Sequence, residues 1–204
     1  MARVLPSFRY AASCLGIARE ANVPSGWPVH YVPNLSDWQE GDLVLFEATS
    51  WLIPAAQWLK GRTRVHRKWS HAAIYVGNGE IVEAVVGQGV VVRSLWQYCQ
   101  TRELMLRRLD VPTLPAANIQ KIALQARALV GKPYSRQHAL LGLLGLAKHP
   151  RADELYCSTT AGLAIDSATG IDLSHHQPAW QPLYPATLAG HPWLKTIDVE
   201  WRPY

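Results

Sequence analysis

No apolar run in this chain is long enough to cross a bilayer. The longest charge-free apolar stretch in a helix-like region, 139–147, is far short of the ~20 residues that a spanning helix needs. The N-terminus is apolar in part, but Arg9 interrupts it and there is no h-region, so a secretory signal peptide is not expected. Synthesis in the cytoplasm is the expectation, and a substrate beyond it requires a specialised delivery route. Cysteine is scarce as well: there are 3, at positions 14, 99 and 157. An odd, sparse count without a signal peptide argues against a disulfide framework. No Cys-x-x-Cys pair exists and His175-His176 has no neighbouring ligand cluster, so neither a metal site nor a cofactor is expected. Nucleic-acid readers are missing too, with no zinc-finger spacing, no RNP-like strand and no helix-turn-helix. Internal repeats and low-complexity segments are also absent.

What is present suits a folded domain. The 204 residues are 49% apolar or aromatic and 17% charged, which allows a sizeable core and excludes global disorder. A single domain spanning 1–204 is the expectation. Net charge is +5, and Lys60, Arg62, Arg64, Arg67 and Lys68 lie close together with no acid among them. Such a stretch meets phosphates, an anionic envelope polymer or a membrane surface, or else is a solvated loop. The 9 tryptophans and 8 tyrosines are scattered rather than set out as a stacking platform.

Periodicity sorts the chain into strands first and helices after. A short helix is predicted over 10–20, then a loop punctuated by proline and glycine. Strands are predicted over 43–46, 70–76, 80–86, 89–93 and 104–109. Gly77-Asn78-Gly79 makes the turn between the second and third, because Asn and Gly tolerate positive φ. Apolar residues at Ile119, Ile122, Ala123, Ala126, Leu129 and Val130 then recur at helical spacing until Gly131 and Pro133. Further helices are predicted over 139–148 and 155–165, and a proline-rich tail from residue 177 is expected to wrap the surface. The pattern reads as an α+β fold, an antiparallel β-meander with helices packed on one face.

Three residues are candidates to carry chemistry. His71 stands in the second strand, where an imidazole is either a structural core group or a base. Glu83 stands in Ile-Val-Glu-Ala-Val-Val, where burial is costly unless the carboxylate is paired. An imidazole is a fitting partner, since a carboxylate fixes the ring's tautomer and stabilises the imidazolium. The alternative for Glu83 is an outward-facing strand position. A turn centred on Asn78-Gly79 sets Glu83 against Ile74 and His71 near Val86, which does not oppose the pair, and a slip of one residue reverses the face. Cys157, in Tyr156-Cys157-Ser158-Thr159-Thr160, is either a small core residue or a thiolate at a helix start, where the dipole and free N–H groups lower its pKa. Cys14 fits the core reading better and Cys99 fits neither pattern. Asp42 reads as part of the turn before the first strand.

The segments Gly41-Asp42-Leu43-Val44-Leu45-Phe46, Ser70-His71-Ala72-Ala73-Ile74-Tyr75-Val76 and Ile81-Val82-Glu83-Ala84 resemble the sheet of the NlpC/P60 papain-like cysteine peptidases. The resemblance implies that His71 is the general base and Glu83 the group that orients it. In that family a helix, a Gly-x-Pro-Tyr motif and the nucleophile precede the sheet. Here the predicted helix over 119–130, then Gly131-Lys132-Pro133-Tyr134, then Tyr156-Cys157-Ser158 come after it. That order resembles the circularly permuted branch, which includes the YiiX-like proteins and the lecithin:retinol acyltransferase group, and it assigns the nucleophile to Cys157. The resemblance covers about residues 37–165. One departure is plain: many permuted relatives have Ser-Glu-Leu after the cysteine, where this chain has Ser158-Thr159-Thr160.

The function implied is a thiol amide hydrolase acting on the peptide stem of peptidoglycan. One form of that function is an effector delivered into a competitor, with an immunity protein and a secretion machinery as partners. Two other readings stand beside it. One is a lipid-directed acyltransferase or thioesterase with the same three residues; the other is a non-catalytic shell that binds an envelope peptide.

Overall fold

The computed structural model describes residues 31–47, 68–99, 102–135, 155–174 and 183–203. The predicted helices over 10–20 and 139–148, Cys14, and the basic stretch other than Lys68 lie outside the described residues. Alternating apolar positions produce strands β1 (Tyr31–Pro33), β2 (Leu43–Glu47), β3 (Trp69–Tyr75), β4 (Glu80–Val85), β5 (Gly89–Ser94), β6 (Leu104–Leu109), β7 (Leu194–Ile197) and β8 (Trp201–Pro203). The helices are α1 (Trp96–Cys99), α2 (Ala116–Ala128), α3 (Cys157–Thr169) and α4 (Pro185–Ala189). Six strands form one antiparallel sheet in the order β5-β4-β3-β2-β6-β7, and β1 pairs with β8 separately.

Both faces of this sheet are covered. Leu43, Leu45, Ala72, Ile74, Val82 and Ala84 face α2 and α3, which offer Ile122, Ala123, Ala126, Ala161, Ala164 and Ile165. Small side chains there let the helices lie close to the strands and to each other. The intervening residues Val44, Phe46, Ala73, Tyr75 and Ile81 face the opposite way, toward Tyr98 and Cys99 of α1 and toward Trp38 and Val199. The α+β architecture with a meander and helices on one face is as the sequence predicts; α1 on the other face is an addition.

The C-terminal segment departs from expectation. Among the described residues, 183–203 do not merely wrap the surface. Strand β7 extends the sheet beyond β6, all five residues of α4 are buried, and β8 pairs with β1. Arg107 ties this segment down, donating to the carbonyls of His191 and Leu194 and to Thr196 Oγ1. Satisfying a buried guanidinium with neutral acceptors costs charge stabilisation, and burial lowers the Arg107 pKa to about 10. Asp42 is fully buried in a two-pronged pair with Arg108, with distances of 2.7 and 2.8 Å, which fixes the entry to β2.

Candidate active site

The β3–β4 register decides what His71 can reach. A turn centred on Asn78-Gly79 would pair Glu83 with Ile74; instead Glu83 lies opposite Ala73. The connection has three left-handed residues, Gly77, Asn78 and Gly79, with φ of 91, 54 and 72°. That adds one residue to the loop and shifts the register by one. Ala73 shares a face with His71, so Glu83 becomes the diagonal neighbour of His71 on the same side. Its carboxylate Oε2 bonds His71 Nε2 directly. Glu83 has no exposed surface, and the reason a charge is tolerated there is visible: Tyr98 Oη donates to Oε1 at 2.7 Å and Arg93 Nε lies 3.5 Å from the same oxygen.

Cys157 approaches from the helical side through an opening in the sheet. Tyr75 exchanges backbone bonds with Gly41 and Asp42 on the β2 side, so by alternation Ile74 and Ala72 point toward β4. Pairing of β3 with β4 stops at Ala73–Glu83, although both strands run further. The Ala72 N–H is therefore left for another acceptor, and it is the Cys157 sulfur that takes it, together with the N–H of Ser158. The same sulfur bonds the His71 ring. With Nε2 held by Glu83, the nitrogen that faces the thiol is Nδ1.

The first turn of α3 is secured on both sides. Tyr156 is its N-cap, and the Tyr156 N–H donates to Thr159 Oγ1 at 2.8 Å. An N3 glutamate does this in a capping box; here the N3 residue, Thr159, makes the contact. Ser158 Oγ donates to the Leu183 carbonyl at 2.7 Å, which anchors the helix start to the C-terminal segment.

These contacts set the electrostatics. Burial pushes the Cys157 thiol up, but the hydrogen bond and charge of His71 and the two backbone N–H donors outweigh it, and its pKa is lowered. Burial pushes His71 down; its bonds to Cys157 and Glu83 win, and its pKa is raised to about 9. Glu83 is likewise held below the ordinary carboxylate range, with burial outweighed by His71, Tyr98 and Arg93. Each of the three shifts favours the charged form, which is the direction that a thiolate–imidazolium pair backed by a carboxylate requires. Tyr134 of the Gly-Lys-Pro-Tyr motif stays a phenol, its pKa raised by burial and by the Cys157 charge.

The three residues singled out from sequence thus stand together, whereas Cys99 does not join them. Its sulfur is buried against the Leu95 carbonyl, and burial alone pushes the thiol up to about 12. Tyr98 and Arg93 carry no such signal in the sequence. Nothing in Trp96-Gln97-Tyr98-Cys99 has helical or strand period, and only α1 folding back over the sheet brings Tyr98 to Glu83.

Residues 37–191 match the family described as permuted papain-like amidase, YaeF/YiiX, C92 family. Among solved structures, the crystal structure of "metalloprotein yiiX" from Escherichia coli O157:H7 is similar, with 22% sequence identity and a TM-score of 0.57. The match covers 80% of this chain and 98% of that one. At that identity the likeness supports the fold. No curated protein matches the chain. Among the described residues of this chain, no group of three or more His, Cys, Asp or Glu side chains is set to hold a metal ion.

Proposed function

The chain belongs to the permuted papain-like amidase family, YaeF/YiiX, and is a cysteine amide hydrolase; we propose that Cys157, His71 and Glu83 carry its reaction. In this reading Cys157 Sγ, already a thiolate, attacks the amide carbonyl carbon. The oxyanion that forms is met by N–H groups at the start of α3, whose first donors have no partner within the helix. His71 Nδ1 gives its proton to the leaving amine, and the C–N bond breaks to leave a thioester on Cys157. A water then enters, His71 takes its proton, and the acid product departs with the thiolate restored. Glu83 holds Nε2 protonated throughout, so that Nδ1 is the nitrogen that shuttles. The observation that carries the reading is the unbroken line from the Glu83 carboxylate through His71 to a sulfur at a helix start, its pKa lowered despite burial.

The substrate we propose is the peptide stem of peptidoglycan. Support comes from the likeness of the strand and Gly-Lys-Pro-Tyr motifs to NlpC/P60 hydrolases, and from the +5 net charge, which suits an anionic envelope polymer. Delivery to the envelope and a protecting immunity partner go with that reading. The test is to incubate the protein with purified sacculi and, separately, with phospholipid vesicles, using Cys157→Ala as the control. Release of new amino groups from sacculi, absent in the control, is the expected result. Acyl transfer or release from the vesicles with intact sacculi would replace the stem-peptide substrate by a lipid one.

A further inference from the structure

A carboxylate with no solvent contact must have its lone pairs occupied or it takes up a proton. Glu83 presents Oε2 to His71, and that bond alone would leave Oε1 open. Two side chains from outside the three-residue line fill it: the Tyr98 hydroxyl from α1 and the Arg93 guanidinium from β5. These two are themselves connected, since Arg93 Nη1 donates to Tyr98 Oη at 3.3 Å and Arg93 Nη2 to Gln88 Oε1 at 2.6 Å. Arg93 is thus braced by the β4–β5 turn while it faces the carboxylate. The Tyr98 ring is wedged in turn, with Phe46 at 4.6 Å between ring centroids and the Arg102 guanidinium at 5.1 Å from its own centroid.

We propose that Tyr98 and Arg93 are positioning residues that aim and keep ionised the Glu83 carboxylate, so that His71 presents the correct nitrogen to Cys157. The proposal rests on the catalytic reading of Cys157 and His71. Among the described residues, His71 from β3, Arg93 from β5 and Tyr98 from α1 face Glu83, and Cys157 from α3 faces His71 on the other side. Tyr134 adjoins the thiolate and Arg102 the outer part of Tyr98. Burial and the Glu83 charge both hold the Tyr98 phenol protonated, so it remains a donor across the working range. Without it, Glu83 takes up a proton at higher pH, and beside a neutral Glu83 the imidazolium passes its proton to the thiolate, so the reactive pair is lost sooner as pH falls.

The measurement is the rate of Cys157 alkylation by iodoacetamide across pH, followed by mass spectrometry, which needs no knowledge of the substrate. Wild type should react quickly at neutral pH. Tyr98→Phe keeps the ring and its packing, and should slow the reaction on the acid side by about tenfold, with the acid limb moved upward, because a hydrogen bond to a charged group is worth on the order of tenfold or more. Arg93→Gln should move the limb in the same direction and Arg93→Lys should recover part of it. In a Glu83→Gln background, Tyr98→Phe should change the rate by less than about twofold, because both act through one group. A Tyr98→Phe profile superimposed on wild type, or equal losses in both backgrounds, overturns the positioning role alone. A wild-type Cys157 no faster than free cysteine overturns the catalytic reading and this inference with it.

Discussion

Replacing Glu83 by glutamine removes a charge and leaves the shape, and the site has no comfortable way to accept the amide. Oε1 sits among donors, Tyr98 Oη at 2.7 Å and Arg93 Nε at 3.5 Å, so the glutamine oxygen belongs there. Its NH₂ then faces His71 Nε2, which must become an acceptor and send its proton to Nδ1. In a neutral ring that leaves no lone pair on the nitrogen facing Cys157, and the ring cannot take the thiol's proton. Turning the amide over restores an acceptor toward Nε2 but points NH₂ at an arginine that has only donors. Either orientation fails, one through the tautomer and the other through opposed donors. A comparable change in a serine triad costs roughly 10⁴ in turnover. We expect kcat/KM for amide hydrolysis to fall by about 10³ to 10⁴, or about 4 to 5.5 kcal/mol of transition-state stabilisation at 1.36 kcal/mol per tenfold. The alkylation rate of Cys157 should fall as well, because the neutral amide no longer supports the imidazolium. Both are measured well below the melting temperature, since opposed buried donors cost about 1 to 3 kcal/mol of stability. Activity within about threefold of wild type, with an unchanged pH profile, would falsify the tautomer argument.

The pH–rate profile should be a bell: its acid limb marks protonation of the thiolate below the ordinary cysteine range, and its basic limb falls near pH 9 as His71 deprotonates. Cys157→Ala should be folded and inactive, and NMR titration of His71 should show its midpoint falling from about 9, because the thiolate is the largest of the effects that raise it. With Cys157 in place, His71 contributes stability that is full below its unfolded midpoint of about 6.5 and lost as pH rises through 9. Gly89→Ala should destabilise the fold and depress activity, measured by thermal melting and turnover. Its φ is +82°, and an added methyl would run into the Lys132 carbonyl that accepts from Val90, pushing the Tyr134 segment off the sheet. Thr159→Val keeps the shape but strands the buried Tyr156 N–H, at a cost of about 1 to 3 kcal/mol read from denaturant unfolding.

The strands and the helix over 119–130 are legible because each has a clean period, and the strand-then-helix order with Gly-Lys-Pro-Tyr and Cys157 reveals the permutation. The relation of Glu83 to His71 is not legible, since it depends on whether the 77–79 turn contains two residues or three. Strand side chains alternate, so that single residue decides between opposite faces and the same face. Tyr98 and Arg93 lie further out of reach. Their partner is a buried oxygen that exists only after β4, β5 and α1 have come together. The C-terminal segment misleads for another reason: its prolines suggest a surface wrap, yet Pro185 simply starts α4 and Trp193 precedes a short edge strand.

The site is assembled from an opening and a helix start, and neither depends on which comes first in the chain. The opening exists where β3 and β4 stop pairing, and it exposes the Ala72 N–H. The helix start must arrive there with its own N–H groups directed at the sulfur. With α3 placed after the sheet, its docking depends on the segment C-terminal to it. In this chain the Leu183 carbonyl accepts from Ser158, Leu183 packs against Gly162, and α4 buries itself beside β3. Strand β7 and Arg107 then lock that segment to β6. The residues after the nucleophile helix hold Cys157 at the opening.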